Sequence, residues 1–243
     1  MSTLNEVSNS SEVSLSYAIC VCDEARELKN LLTFLEEARD KSKTEIVILV
    51  DSSKTTKDVA KCLKEFKDSV NVHYRDFDGD FSDHKNFLNS KCVGKNIFNI
   101  DADEIPQEAL LKAAEMIGED IDLIMVPRIN ICPGYTLEFL KRWKFAVNNA
   151  GWINWPDFQG RIYRNSPDIK WVGKVHEKIN SKRAGIFTPE PDAQLALWHI
   201  KDVARQNKQN EEYEQLTGVE QLTGVEQLSP PIVNETSKDG SGN

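Results

Sequence analysis

Short apolar runs alternate with segments whose large side chains recur at helical spacing, and this alternation confines the chain to an α/β fold built on parallel strands. The run Tyr17-Ala18-Ile19-Cys20-Val21-Cys22 is apolar at consecutive positions, as a strand covered on both faces requires. Leu28, Leu31, Leu32 and Leu35 follow at helical spacing and predict an amphipathic helix from about Glu24 to Arg39. Glu45-Ile46-Val47-Ile48-Leu49-Val50 is the next strand, followed by Val59, Cys62, Leu63 and Phe66 on one helical face. Two such units in succession imply parallel strands, because each helix carries the chain back across the sheet. Further strands are predicted at Val70 to Tyr74, Asn96 to Ile100 and Leu123 to Val126, with a short helix around Asp83 to Ser90. Pro106 is expected in the first turn of a crossover helix whose buried stripe is Leu110, Ala113, Ala114 and Ile117. From there to about Ile200, aromatic-rich loops and short strands predict a smaller subregion.

Composition narrows the function classes. A chain of 243 residues, 40% hydrophobic and 28% charged, suits one compact α/β unit. A formal net charge of -9 argues against a protein that wraps nucleic acid, since phosphate binding needs a basic face. No apolar run is long enough to cross a bilayer, and the polar opening Met1 to Ser16 lacks the apolar stretch of a signal peptide. The expected compartment is the cytoplasm, or the host cytoplasm for a viral chain. The 5 cysteines are odd in number and scattered, so buried free thiols are expected rather than disulfides or a zinc site. The first segment, 1–15, is expected to be flexible. Past Lys201 the chain turns polar, and Glu214 to Val219 is repeated at once as Glu220 to Val225, so a low-complexity tail is expected over 206–243.

Ligands of open parallel sheets bind beyond the carboxyl ends of the strands. Three of the predicted strands end there in carboxylates: Asp23-Glu24, Asp51, and Asp101 with Asp103. Carboxylates gathered at one edge repel each other unless a cation or hydrogen-bond donors offset them, which points to a bound metal. Asp101 and Asp103 flank a single alanine, where both address one hard cation, Mn2+ or Mg2+, with phosphate and water completing its shell. The alternative is a solvated acidic turn ahead of a helix.

Two stretches carry a family resemblance: Asp80-Phe81-Ser82-Asp83-His84-Lys85-Asn86, and Gly94-Lys95-Asn96-Ile97-Phe98-Asn99-Ile100-Asp101-Ala102-Asp103-Glu104. Together they resemble the donor-binding half of family 2 glycosyltransferases with the GT-A fold, a mostly parallel sheet flanked by helices. The resemblance spans about 16 to 200 and implies a nucleotide-sugar-binding half over 16–130 and an acceptor or catalytic half over 131–205. It implies that Asp101 and Asp103 hold the cation and the diphosphate, that Asp51 binds nucleobase or ribose beside Asp23 and Glu24, and that Lys85 lies against the donor.

Downstream, Gly151-Trp152-Ile153-Asn154-Trp155-Pro156-Asp157-Phe158-Gln159 and Trp171-Val172-Gly173-Lys174-Val175-His176-Glu177 resemble the acceptor side of bacterial and viral members that build surface polysaccharides or lipopolysaccharide cores. Trp152 and Trp155 offer aromatic faces to sugar C–H surfaces, with core packing as the alternative. An inverting transfer needs a base for the acceptor hydroxyl. Glu177 is the candidate, with Asp157 as its rival. His199, in Leu197-Trp198-His199-Ile200, resembles a late metal ligand, and His176 is the alternative. His176-Glu177 is no zinc-protease motif, because Asn180 stands where the second histidine belongs.

The sequence departs from the family where Asp23 replaces the usual Asn and Val50-Asp51-Ser52-Ser53-Lys54-Thr55 replaces the commoner Asp-Asp-Gly-Ser run. The reading is a metal-dependent inverting glycosyltransferase that moves a sugar from a nucleotide diphosphate, UDP-sugar first, to a glycan or glycolipid hydroxyl. The competing readings are a catalytically silent carbohydrate- or nucleotide-binding module and a viral transferase acting on modified nucleic acid. A sugar nucleotidyltransferase is disfavoured, because Cys22-Asp23-Glu24-Ala25-Arg26 lacks the glycine-rich loop that would cradle a triphosphate.

Overall fold

The computed structural model describes residues 13–118, 121–181 and 185–217. The predicted alternation is present: β1 (Leu15–Val21), α1 (Ala25–Ala38), β2 (Thr44–Asp51), α2 (Lys57–Glu65), β3 (Asn71–Arg75), α3 (Phe81–Asn89) and β4 (Asn96–Asp101) follow in order. β1 to β4 are mutually parallel, with β1 between β2 and β4. After β4 come β5 (Glu104–Pro106), α4 (Glu108–Glu115), β6 (Leu123–Val126), β7 (Arg128–Ile131), α5 (Leu137–Arg142), β8 (Gln159–Arg164), β9 (Ile169–Val172), β10 (Lys178–Ser181), β11 (Ile186–Phe187), β12 (Leu197–Ile200) and α6 (Val203–Thr217).

The main sheet has 7 strands in the order β11-β6-β8-β4-β1-β2-β3, and only β8 runs against its neighbours. Alternate side chains of the central strands feed two layers. Tyr17, Ile19, Ile46 and Ile48 pack with Leu28, Leu31, Leu32 and Leu35 of α1, Val59 and Leu63 of α2, and Leu110 and Leu111 of α4. Ala18, Val47 and Leu49 face the other way, toward Leu88 of α3, Tyr163 and Trp171. The four α1 leucines are completely buried, and each contributes about 1.5–3 kcal/mol by leaving water. Side chains close several helix starts: Thr56 accepts from the Val59 amide, Asp80 from the Asp83 amide and Thr136 from the Phe139 amide. Gly94 enters β4 against the backbone of β1, where a Cβ would sit 2.6 Å from the Ser16 nitrogen, so the tight approach admits no side chain.

A second sheet, β5-β12-β7, begins immediately beyond the acidic turn that ends β4. Its register sets Glu104 opposite His199 and His199 opposite Asn130. This sheet corrects the expectation for Pro106. The proline closes β5 opposite Leu197, and α4 starts only after Gln107. A proline suits this edge strand, whose outer side needs no ladder donor. The buried stripe of α4 is Leu110, Leu111 and Ala114, with Ala113 only half-buried.

The expected tail also differs at its start, because residues 206–217 lie in α6. Polar contacts dock that helix. Arg205 pairs with Glu24 at 3.0 Å and Glu27 at 3.2 Å, Trp143 Nε1 donates to Asn207 Oδ1 at 2.8 Å, and Lys201 donates to Gln209 at 2.9 Å. The remainder of the repeat and of the expected tail, 218–243, lies outside the described residues, as do residues 1–12 of the expected N-terminal segment. Leu15 already belongs to β1. All 5 cysteines are free. Among the described residues no helix is long and apolar enough to cross a membrane.

Candidate active site

The carboxyl ends of β1, β2 and β4 and the small sheet meet at one rim, and the charged side chains there form a continuous network. Asp101 ends β4. Its Oδ2 accepts from Arg161 Nη2 at 2.7 Å, and Lys85 Nζ lies 3.6 Å from its Oδ1. The same ammonium is 2.7 Å from Glu177 Oε1 and 4.4 Å from the centre of the Trp171 ring. Lys85 reaches this position because α3 leads directly into β4 and packs against β9. Burial alone would drive its proton off, but Asp101 and Glu177 outweigh it and hold Lys85 charged well above the usual lysine range. Asp101 is likewise pushed up by burial and brought far below the usual carboxylate range by Arg161 and Lys85.

Glu104 is the fully buried centre of the network. Its Oε1 accepts from Arg161 Nη2 at 2.6 Å and from Arg128 Nη1 at 3.1 Å, and its Oε2 accepts from the Asp101 amide at 3.1 Å. Arg128 continues to Asp157, with Nη2 2.8 Å and Nε 2.9 Å from Oδ2. Asp157 also accepts from Asn130 Nδ2 at 2.6 Å and Gln159 Nε2 at 2.9 Å. Burial raises its carboxyl, but Arg128 and the amide donors bring it below the ordinary aspartate value. Separating any one of these buried ions from its partner costs about 3–5 kcal/mol, so the network holds as a unit.

Asp103 sits on the other side of the turn. Lys201 Nζ is 2.8 Å and His199 Nε2 3.5 Å from its Oδ2. Burial raises its carboxyl, and these two partners more than offset that, leaving it well below the usual range. Five carboxylates, Asp101, Asp103, Glu104, Asp157 and Glu177, thus face four permanent cations, Lys85, Arg128, Arg161 and Lys201. The excess is negative, which suits an incoming cation.

The rim continues past β1 to the end of β2, where Asp51 is buried. Asp51 Oδ1 accepts from the Ser53 amide, the Ser53 hydroxyl and the Phe77 amide at 2.9, 2.6 and 3.1 Å. Burial raises its carboxyl, but these bonds more than offset it and lower it. Its Oδ2 faces the Cys22 thiol at 3.8 Å. Glu24 Oε2 accepts from the Cys22 and Asp23 amides, and Arg205 bridges Glu24 and the exposed Asp23. Asp51 and Asp101 end strands separated by β1, roughly 10 Å apart across the sheet. Trp152 and Trp155 lie half-buried between α5 and β8, edge to face with ring centres 5.0 Å apart. His176, in a left-handed conformation at φ 53°, immediately precedes Glu177.

The structure therefore gathers Lys85, Asp101 and Glu177 in one contact and Asp103 with His199 in another, while Asp157 is joined to them only through Arg128 and Asn130. Arg128, Asn130, Arg161, Lys201 and Glu104 are not singled out by the sequence. The one available signal is indirect: several carboxylates predicted at one edge demand countercharges, without saying which cations supply them.

The donor set suits a divalent cation of the Mn2+ or Mg2+ type. Asp103 supplies an oxygen and His199 a nitrogen, and imidazole Nδ1 is held by Asn130 Oδ1 at 2.8 Å, as metal-binding histidines commonly are. Asp101, with both oxygens engaged by Arg161 and Lys85, stands beside this pair. Among the described residues no three His, Cys, Asp or Glu side chains are placed to hold an ion by themselves, so an ion held here would need further ligands such as phosphate oxygens and water.

Comparison with known proteins agrees with this architecture. The solved structure of residues 1–349 of Staphylococcus aureus TarS superposes with a TM-score of 0.53 at 15% identity, over 84% of this chain and 63% of that one. A longer TarS structure gives 0.50 at 14% identity, over 84% of this chain and 38% of that one. The chain thus spans less than two thirds of these structural relatives. Among curated proteins none matches the sequence significantly. Residues 16–188 match the family model described as glycosyl transferase family 2. That match takes in the strands β1 to β4, the acidic turn and Glu177, and the chain belongs to glycosyl transferase family 2, with the GT-A fold.

Proposed function

We propose that this chain is a metal-dependent inverting glycosyltransferase that moves a sugar from a nucleotide diphosphate to an acceptor hydroxyl. The observation that carries the proposal is the ammonium of Lys85, shared between Asp101 at 3.6 Å and Glu177 at 2.7 Å. It joins a carboxylate on the donor side of the rim to the one carboxylate suited to act on the acceptor.

Asp103 and His199 are the residues that would hold Mn2+ or Mg2+, whose charge stabilises a departing diphosphate. Asp51, with Ser53 and the Asp23-Glu24 turn, binds the nucleoside, and a UDP-sugar is the donor of first choice. Lys85 and Arg161 add fixed positive charge beside the diphosphate at no cost of reorganisation, since Asp101 and Glu104 already hold them in place. Glu177 takes the proton of the acceptor hydroxyl as its oxygen forms the bond to the anomeric carbon. The bond from that carbon to the diphosphate oxygen breaks on the opposite face, so the configuration inverts. Trp152 and Trp155 present edge-to-face rings against which a glycan or the sugar of a glycolipid stacks.

A panel of sugar nucleotides with Mn2+, assayed for nucleotide release and for the anomeric configuration of the product, tests the proposal. Inverted product with one donor is expected. Binding without turnover for every donor and acceptor would leave a silent module, and retained configuration would remove Glu177 from its role.

A further inference from the structure

Asp157 has the chemistry of a base, but three donors crowd its Oδ2 and Gln159 already donates to its Oδ1. Its four hydrogen bonds, from Arg128 Nε and Nη2, Asn130 Nδ2 and Gln159 Nε2, use both carboxylate oxygens. A carboxylate only accepts, so the contact at 2.6 Å fixes which end of the Asn130 amide faces it: the nitrogen. That nitrogen also reaches the Ile153 carbonyl at 3.4 Å. The amide oxygen of Asn130 is thereby turned to His199 Nδ1, 2.8 Å away. An oxygen that only accepts requires a proton on Nδ1. In a neutral imidazole the other nitrogen then carries a lone pair, and this Nε2 lies 3.5 Å from Asp103 Oδ2. Two lone-pair donors facing each other repel unless a proton or a metal ion lies between them, so a metal entering here takes the place of a proton on Nε2.

The backbone makes this relay rigid. Asn130 and His199 are direct partners on β7 and β12, and Asn130 is bridged on its other side to Ile153. Asp157 is delivered from the far end of the same loop, in a left-handed conformation at φ 37°.

We infer that Asp157, acting through Asn130, is a positioning residue that fixes His199 as the Nδ1–H tautomer and turns its Nε2 lone pair toward the cation shared with Asp103. The inference rests on the metal reading of the proposed function, and it assigns Asp157 a task other than that of base.

Long-range proton–nitrogen NMR spectra of the metal-free protein in alkaline buffer read the tautomer, with the His199 signals assigned by loss in His199→Gln. Mn2+ binding in the presence of UDP, followed by electron paramagnetic resonance, reads the consequence in wild type, Asn130→Ala and Asp103→Ala. The wild type is expected to show Nδ1–H. Asn130→Ala should release that tautomer and weaken Mn2+ binding by about tenfold or more, the usual cost of losing a partner behind a metal-binding histidine. A wild-type His199 in the Nε2–H form overturns the inference without reference to any variant. Mn2+ binding lost in Asp103→Ala but weakened less than threefold in a folded Asn130→Ala overturns the inference while sparing the metal reading. No Mn2+ binding by the wild type overturns the metal reading and the inference with it, whatever the tautomer.

Discussion

The two halves of the rim are built by different physics. Along the main sheet, Asp51 and Asp101 are carried on the ends of parallel strands whose registers are set by fully buried apolar side chains. Around the small sheet, Asp157, Glu177, His199 and Lys201 come from short strands and loops, and each is held by an opposite partner: Arg128, Lys85 and, for the last two, Asp103. The contrast separates two kinds of change: apolar changes under the first half should cost folding alone, whereas charge changes in the second should cost function and, through the buried partner left unpaired, some stability as well.

The largest effect expected is from Asp103→Ala, which should abolish metal-stimulated turnover, a loss of about 10^3-fold or more, while the chain still folds, at a stability cost of up to about 3–5 kcal/mol for the buried Lys201 left unpaired. Next, Glu177→Gln should lower kcat by about 10^2–10^4-fold with donor affinity unchanged, as measured by nucleotide-sugar titration. If either change instead unfolded the chain, the separation would be broken. In the other half, Leu31→Ala should lower stability by about 2–5 kcal/mol in denaturant unfolding with the KM for donor intact at low temperature. Thr56→Ala, removing the cap of α2, should cost about 1 kcal/mol and leave the kinetics alone.

Acid sharpens the same comparison. Asp101, Asp103 and Asp157 are held below their usual values in the folded chain, so the stability they contribute is present above the ordinary aspartate range. It is lost as pH falls through about 4 and below, where the unfolded chain takes up protons first. Asp157→Asn should flatten that decline, measured as unfolding free energy against pH.

This division also explains what was legible in the sequence. The strands β1, β2 and β4 and their helices were readable because the positions of Leu28, Leu31, Leu32 and Leu35, and of the paired valines and isoleucines, carry the period of the element. The acidic strand ends followed from them. Arg161, Arg128 and Glu104 were not readable, since a lone charged residue implies a solvated face until its partner is known, and their partners lie far apart along the chain. Helix α6 was missed for the same reason: Arg205, Asn207 and Gln209 dock it by polar bonds rather than by an apolar stripe. Pro106 misled because the helix-start rule and the edge-strand rule admit the same residue, and only the pairing with Leu197 decides between them.

On the proposed function, Asp103 and His199 grip a divalent cation at the sheet rim and through it the diphosphate of the donor. Calorimetric titration of Mn2+ into the protein with UDP present, for wild type, Asp103→Ala and His199→Gln, tests it most directly. Saturable binding by the wild type that both substitutions remove is expected; equal binding by all three proteins would place the ion elsewhere.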